Sequence, residues 1–238
     1  MRRKWVRNGI IIIGVILLIA ILNYEIVNRN SWSQWNLPLS GRVIVIDPGH
    51  GGPDGGAEGG KTKEKDIALK ISKDLRDYLQ ESGALVLMTR ETDRDLADKD
   101  KGGLSARKTQ DLKRRAKFID DADPDCVISL HLNAIPSPRW RGAQTFYHPK
   151  SKENKVLAKF IQDSLRNQIK NTDRFAKAIE HVYLLKRSKA PSSLVEVGFL
   201  SNPDERQLLE TKDYQKKIAV SIYNGILRYF TNEKEPSS

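Results

Sequence analysis

The 238-residue chain carries 41 Lys and Arg against 30 Asp and Glu, a formal net charge of +11, with 39% hydrophobic residues and a single cysteine. One α/β domain of ordinary size plus an extension fits that length and can bury a core, so no second domain is required. An intramolecular disulfide is excluded, and the apolar strand context of Cys126 suits a small core residue better than a reactive thiol.

Residues 1–27 differ in kind from the rest. Arg2, Arg3, Lys4 and Arg7 precede an apolar run over residues 10–22, interrupted only by Gly14. That order is the one found in a secretory signal, or in an uncleaved membrane anchor if the span extends to Val27. Residues 24–28 offer no small-x-small cleavage site, which favours retention as an anchor. Positive charge before the run holds the N-terminus in the cytoplasm and sends the remainder outside, so an extracytoplasmic domain is expected. The segment holds only those four basic side chains and Glu25, so most of the positive excess lies beyond it. A basic exported domain is drawn to anionic polymers or membrane surfaces, and no nucleic-acid partner is expected there.

Residues 28–41, rich in Asn and Ser, read as a linker in which Trp32 and Trp35 dock on the domain or at a bilayer interface. Residues 42–230 read as the one folded domain. Its first strand, residues 43–46, runs into Asp47-Pro48-Gly49, which places His50 at the strand's carboxyl end. Glu64 opens a helix with Ile67, Ile71, Leu75 and Leu79 on one stripe and Gly83 as its stop. A strand over residues 84–88 leads to Thr89-Arg90, and the charged stretch 91–104 is a solvated loop. A helix at 105–119, a strand from Cys126 into His131, a Pro- and Arg-rich loop at 136–142 and a strand at 143–147 follow. Next come a helix at 152–169, short strands at 182–185 and 193–197, and a last helix at 214–230; residues 231–238 form a loose tail. Strands alternating with helices predict an α/β fold: a mainly parallel, twisted sheet of about six strands with helices on both faces.

The stretch from Gly55 to Thr62 matches G-x-x-x-x-G-K-[ST] letter for letter. A phosphate loop, however, begins almost directly after its strand, whereas Pro48 and His50 intervene here, and no second strand ends in an aspartate suited to Mg²⁺. Zinc fits better, because a catalytic site needs three protein ligands, often two histidines and a carboxylate. His50 and His131 at strand ends supply nitrogens, and Glu64 at a helix start supplies oxygen, with Glu58, Asp47 and Asp54 as rival donors. Glu64 also has a bland role, since a carboxylate favours any helix N-terminus. No H-E-x-x-H sequence is present. Glu196 lies in the apolar stretch 194–200, where burial raises a carboxyl pKa and suits a general base; the alternative is an ion pair with Arg90 or Arg115. His148 and His181 read as structural or exposed residues. Arg139, Trp140 and Arg141 form a loop cluster able to hold an anionic or sugar-containing ligand, but read first as a solvated surface.

Taken together, Asp47 to Gly52, Glu64, Thr89-Arg90-x-x-Asp93, Ser129 to Ala134 and Val195 to Asn202 resemble the zinc-dependent N-acetylmuramoyl-L-alanine amidases of bacterial cell-wall turnover. The membrane-leading N-terminus with a lone catalytic domain further resembles the germination-specific amidases of spore-forming bacteria, which act on the spore cortex. The resemblance implies one Zn²⁺ per chain on His50, Glu64 and His131, with Glu196 catalytic. It places Arg90, Arg115 and Asn133 near the substrate, with Arg90 a candidate for assisting the developing oxyanion. The substrate it implies is peptidoglycan, cut at the amide joining N-acetylmuramic acid to L-alanine, and an activator protein is a further expected partner. Asp120 stands where the family pattern usually has asparagine. Two alternatives stay open: an exported zinc peptidase, and a non-enzymatic basic wall-binding protein.

Overall fold

In a computed structural model of the chain, which describes residues 37–236 together with Trp5, residues 13–21 and residues 23 and 24, the first apolar run becomes an inner strand. That strand, β1 (Val43–Pro48), pairs in parallel with β4 (Leu85–Met88) on one side and β5 (Cys126–Asn133) on the other. β5 pairs in parallel with β8 (Ser192–Phe199), and β8 takes β6 (Gln144–Tyr147) antiparallel. The two-residue β7 (Lys177–Ala178) closes the order β4-β1-β5-β8-β6-β7. A separate hairpin joins β2 (Glu58–Gly59) to β3 (Thr62–Lys63). The mainly parallel sheet and its six strands agree with the sequence expectation.

Alternation along the strands sorts side chains to two covered faces, as parallel strands require. Ile44, Ile46, Ile128, Leu130, Val195 and Val197 enter the larger core, packed by α1 (Glu64–Glu81), α3 (Lys152–Ile169) and α6 (Lys212–Phe230). Val45 and Val127 face the other way, into a smaller cluster with Ala116 and Ile119 of α2 (Leu104–Ala122) and Leu184 of α4 (Tyr183–Arg187).

The structure corrects two expectations. Residues 182–185 are not a strand: Val182 is extended, but residues 183–187 form the short helix α4 that buries Leu184 and Leu185. A further helix, α5 (Pro203–Glu210), goes unread in the sequence, although Asn202 caps it and Pro203 occupies its first turn.

The chain divides into two units, Met1–Leu37 and Pro38–Ser238. Residues 38–41 of the expected linker thus fold with the domain: Leu39 is fully buried, and its N–H donates to Ser82 O at 2.9 Å. Residues 13–21 are helical, and no helix among the described residues is long and apolar enough to cross a membrane. The basic residues before the apolar run, the expected cleavage region from Glu25 to Asn28, the linker tryptophans Trp32 and Trp35, and the last two residues of the tail lie outside the described residues.

Candidate active site

At the carboxyl edge of the sheet, β1 gives way to Gly49, whose N–H continues the ladder by donating to Leu130 O at 2.9 Å. A Cβ at position 49 would lie 2.5 Å from Cε1 of His131, so only glycine lets the two segments approach this closely. His50 follows with φ of 60°, a left-handed conformation uncommon for a residue with a side chain. Its ring is held from both ends: Nδ1 lies 2.8 Å from Asp54 Oδ2, and Nε2 lies 3.1 Å from Glu64 Oε2.

Glu64, the first residue of α1, is nearly fully buried. Its Oε1 meets His131 Nδ1 at 2.8 Å and accepts from Leu132 N at 2.9 Å, while Oε2 accepts from Ala57 N at 2.6 Å. Gly56, at φ 72°, makes room for this cluster, since a Cβ there would come within 2.4 Å of Glu64 Oε2. Burial alone would raise the Glu64 carboxyl, but the imidazoles of His131 and His50 outweigh it and hold the group well below the usual carboxylate range. Burial likewise disfavours charge on His50, yet Glu64 and Asp54 prevail and raise its pKa above 6.5.

One ligand atom each from His50, Glu64 and His131 lies within 4.8 Å of the others. Two imidazole nitrogens and one carboxylate oxygen are the donor set of a three-ligand catalytic zinc site. Asp54 on the far nitrogen of His50 is the kind of outer partner that fixes a ligating ring. The residues therefore fit a divalent cation, whose charge would replace the protons these atoms now share.

The rival donors are otherwise engaged. Asp47 pairs with Arg115 at 2.7 Å, Asp54 meets His50 and Lys108, and Glu58 faces solvent beside Lys63. The glycines of the phosphate-loop pattern also have other uses. Gly56 admits Glu64, and a Cβ at Gly59 would sit 2.1 Å from Leu200 O.

Glu196 stands opposite His131 in the parallel β5–β8 register, so both side chains leave the same face of the sheet. Its Oε2 is shut off from solvent and accepts no hydrogen bond. Burial, with the nearby Glu64 charge, pushes its pKa up to about 7 against the opposing pull of His131 and His50. The expected alternative, an ion pair with Arg90 or Arg115, is absent from these described residues.

Both arginines depart from the substrate-facing placement expected of them, because each is 1% exposed and its donors turn inward. Arg90 donates to Pro48 O, Gly49 O, Lys65 O and Thr92 O; Arg115 donates to Asp47, Asp111, Pro48 O and His50 O. Asp93 of the same sequence motif accepts from Gly52 N and Lys65 Nζ, at 2.8 and 2.7 Å. Asn133 lies just past the irregularity at His131, with its carbonyl accepting from Leu200 N. His148 accepts from Lys150 N and His181 is exposed, and neither joins the cluster. Trp140 is half exposed with Arg174 over its ring, 5.8 Å from the centroid. Sequence reasoning missed Asp111 as a partner of Arg115, although their four-residue spacing on a helix was a readable signal.

Known proteins resemble the chain in sequence and fold. Residues 44–228 match the family described as N-acetylmuramoyl-L-alanine amidase. The germination-specific N-acetylmuramoyl-L-alanine amidase of Bacillus subtilis (strain 168) is 52% identical over 233 residues, 98% of this chain and 97% of that protein. The CwlD amidase of Clostridioides difficile, solved in complex with the GerS lipoprotein, superposes with a TM-score of 0.79 at 39% identity, covering 81% of this chain and 100% of that one. An N-acetylmuramoyl-L-alanine amidase from Clostridium difficile 630 gives a TM-score of 0.72 at 30% identity, with 81% and 98% covered.

Proposed function

The chain belongs to the N-acetylmuramoyl-L-alanine amidase family, and from that premise we propose that His50, Glu64 and His131 hold one zinc ion and Glu196 moves the proton in peptidoglycan hydrolysis. The observation that supports this most directly is the meeting of three ligand atoms within 4.8 Å beside a buried, unpartnered Glu196 oxygen. When bound, zinc supplies Lewis acidity that polarises an amide carbonyl and eases deprotonation of water near neutral pH.

Glu196 takes a proton from water as the water oxygen attacks the lactyl carbonyl carbon. It then delivers that proton to the departing nitrogen of L-alanine as the C–N bond breaks, leaving a lactyl carboxylate and a free stem peptide. A base with a pKa of about 7 suits both halves of this exchange, because it accepts and returns a proton near neutrality. Asp54 orients His50, and Glu64 orients both rings, so the donors are arranged before substrate arrives.

Cleavage of spore cortex peptidoglycan during germination is the biological setting we infer, on the strength of the relative that bears that specificity in its name. A solved neighbour in complex with a lipoprotein supports a protein partner for this chain too, and the role we propose for that partner is activation. The work is extracytoplasmic, with the apolar segment before residue 28 acting as signal or anchor.

Bound metal and muropeptide products, measured on the full chain beside H50A and E196Q, test the reading. About one zinc per chain is expected in wild type and E196Q and none in H50A, with lactyl-bearing glycan released by wild type alone. Cleavage between amino acids of the stem would make the protein a peptidase, and a metal-replete chain that takes up no zinc would overturn the mechanism.

A further inference from the structure

Among the described residues, Arg90 and Arg115 are the largest fully buried side chains, and each places a permanent positive charge out of water. Their acceptors explain the arrangement. Between them they hold three consecutive carbonyls of the turn that presents His50. Arg90 Nε donates to Pro48 O at 3.0 Å and its Nη2 to Gly49 O at 2.8 Å, while Arg115 Nη2 donates to His50 O at 2.6 Å. The same Nη2 of Arg90 also donates to Lys65 O at 2.8 Å, the residue after Glu64. One guanidinium thus spans two of the three ligand-bearing segments. The third is reached through Asp47, which accepts from Arg115 Nη1 and from Ser129 Oγ, both at 2.7 Å, and Ser129 lies two residues before His131 on β5.

We propose that Arg90 and Arg115 are positioning residues that set the spacing of His50, Glu64 and His131, so that zinc affinity depends on this buried pair as well as on the ligands. The inference rests on the zinc reading above. A purely architectural arginine pair would be satisfied by any carbonyls, whereas these donors converge on the turn at φ 60° and on the start of α1. Lysine could not substitute, because a single ammonium cannot reach Pro48 O, Gly49 O and Lys65 O from the directions a planar fork does.

The test is the zinc dissociation constant of the full chain in detergent, measured by competition with a chromophoric chelator for wild type, R90K and S129A. Loss of outer-shell support typically weakens metal binding by about 10–100-fold, and R90K is expected in that range while keeping wild-type circular dichroism. S129A, which removes one contact to Asp47, is expected to weaken binding by a smaller factor. A folded R90K whose metal-free melting temperature falls but whose zinc affinity stays within twofold of wild type would overturn the proposal. If R90K does not fold, S129A decides: unchanged affinity overturns the proposal and weakened affinity supports it. A wild-type chain that binds no zinc would overturn the zinc reading itself and this inference with it.

Discussion

Glu196 is held where its charge is least welcome, and that has a thermodynamic signature of its own. Its pKa in the fold is about 7 against an ordinary 4.5, raised first by burial and then by Glu64. The folded chain therefore keeps a proton that the unfolded chain releases between those values, and stability is lost as pH rises from 4.5 through about 7. The shift corresponds to roughly 3 kcal/mol at most. Replacing Glu196 by glutamine removes the ionisation at little cost in shape, so metal-free E196Q is expected to melt higher than wild type at pH 8 and close to it at pH 5. Calorimetry in chelator at both values checks this, and equal melting temperatures at pH 8 would count against it. Activity should fall by about 10²–10⁴ in the same variant, the usual worth of a general base. At this scale the sequence was informative about identity and silent about direction. His50, His131 and Glu196 stood out because strands deliver them to one edge, whereas Glu64 was one of several oxygen donors until the family resemblance singled it out. The inward turn of Arg90 and Arg115 could not, because a strand end fixes where a side chain begins and not which carbonyls it finds. The glycines beside them misled for a related reason: Gly55 to Thr62 spells a phosphate loop, whereas Gly56 is required by the approach of Glu64.

Among the elements, α1 and α3 were legible because long apolar stripes repeat at helical spacing, and each was placed to the residue or nearly so. The stretch at 182–185 was misread because four mostly apolar residues fit a strand and a helical turn equally well, and only burial of Leu184 and Leu185 in three dimensions decides. Helix α5 was overlooked although its cap was on display. Asn202 Oδ1 accepts from Glu205 N at 2.9 Å, and its Nδ2 donates to Pro138 O at 2.7 Å, so one side chain starts the helix and ties down the Pro- and Arg-rich loop. Asn202→Ala is expected to cost about 1–2 kcal/mol of stability, read as a lower urea midpoint with an unchanged slope. A change below about 0.3 kcal/mol would mean that water replaces both bonds at no cost.

For the molecule as a whole, the proposed ligands come from β5, from the turn after β1 and from the start of α1, so a metal held by them would bind only the assembled sheet. Ligand linkage then predicts that zinc at a hundredfold excess over its dissociation constant stabilises the fold by about 2.7 kcal/mol. Chelation should accordingly lower the melting temperature of a domain this size by about 5–10 °C, which scanning calorimetry with and without chelator measures. An unchanged melting temperature in a chain shown to bind zinc would place the metal elsewhere than among these strands. The sheet order has a consequence for synthesis as well. β8 is the last strand in the chain, yet it sits inside the sheet between β5 and β6. Until it is made, β6 and β7 can pair only with each other and not with the rest of the sheet, β5 lacks one neighbour, and Glu196 does not yet exist. Such long-range closure is slow, and with Glu196 as the proposed base it would make the growing polypeptide a bystander: a wall-cutting protein on its way out of the cell would stay harmless until its final strand arrives.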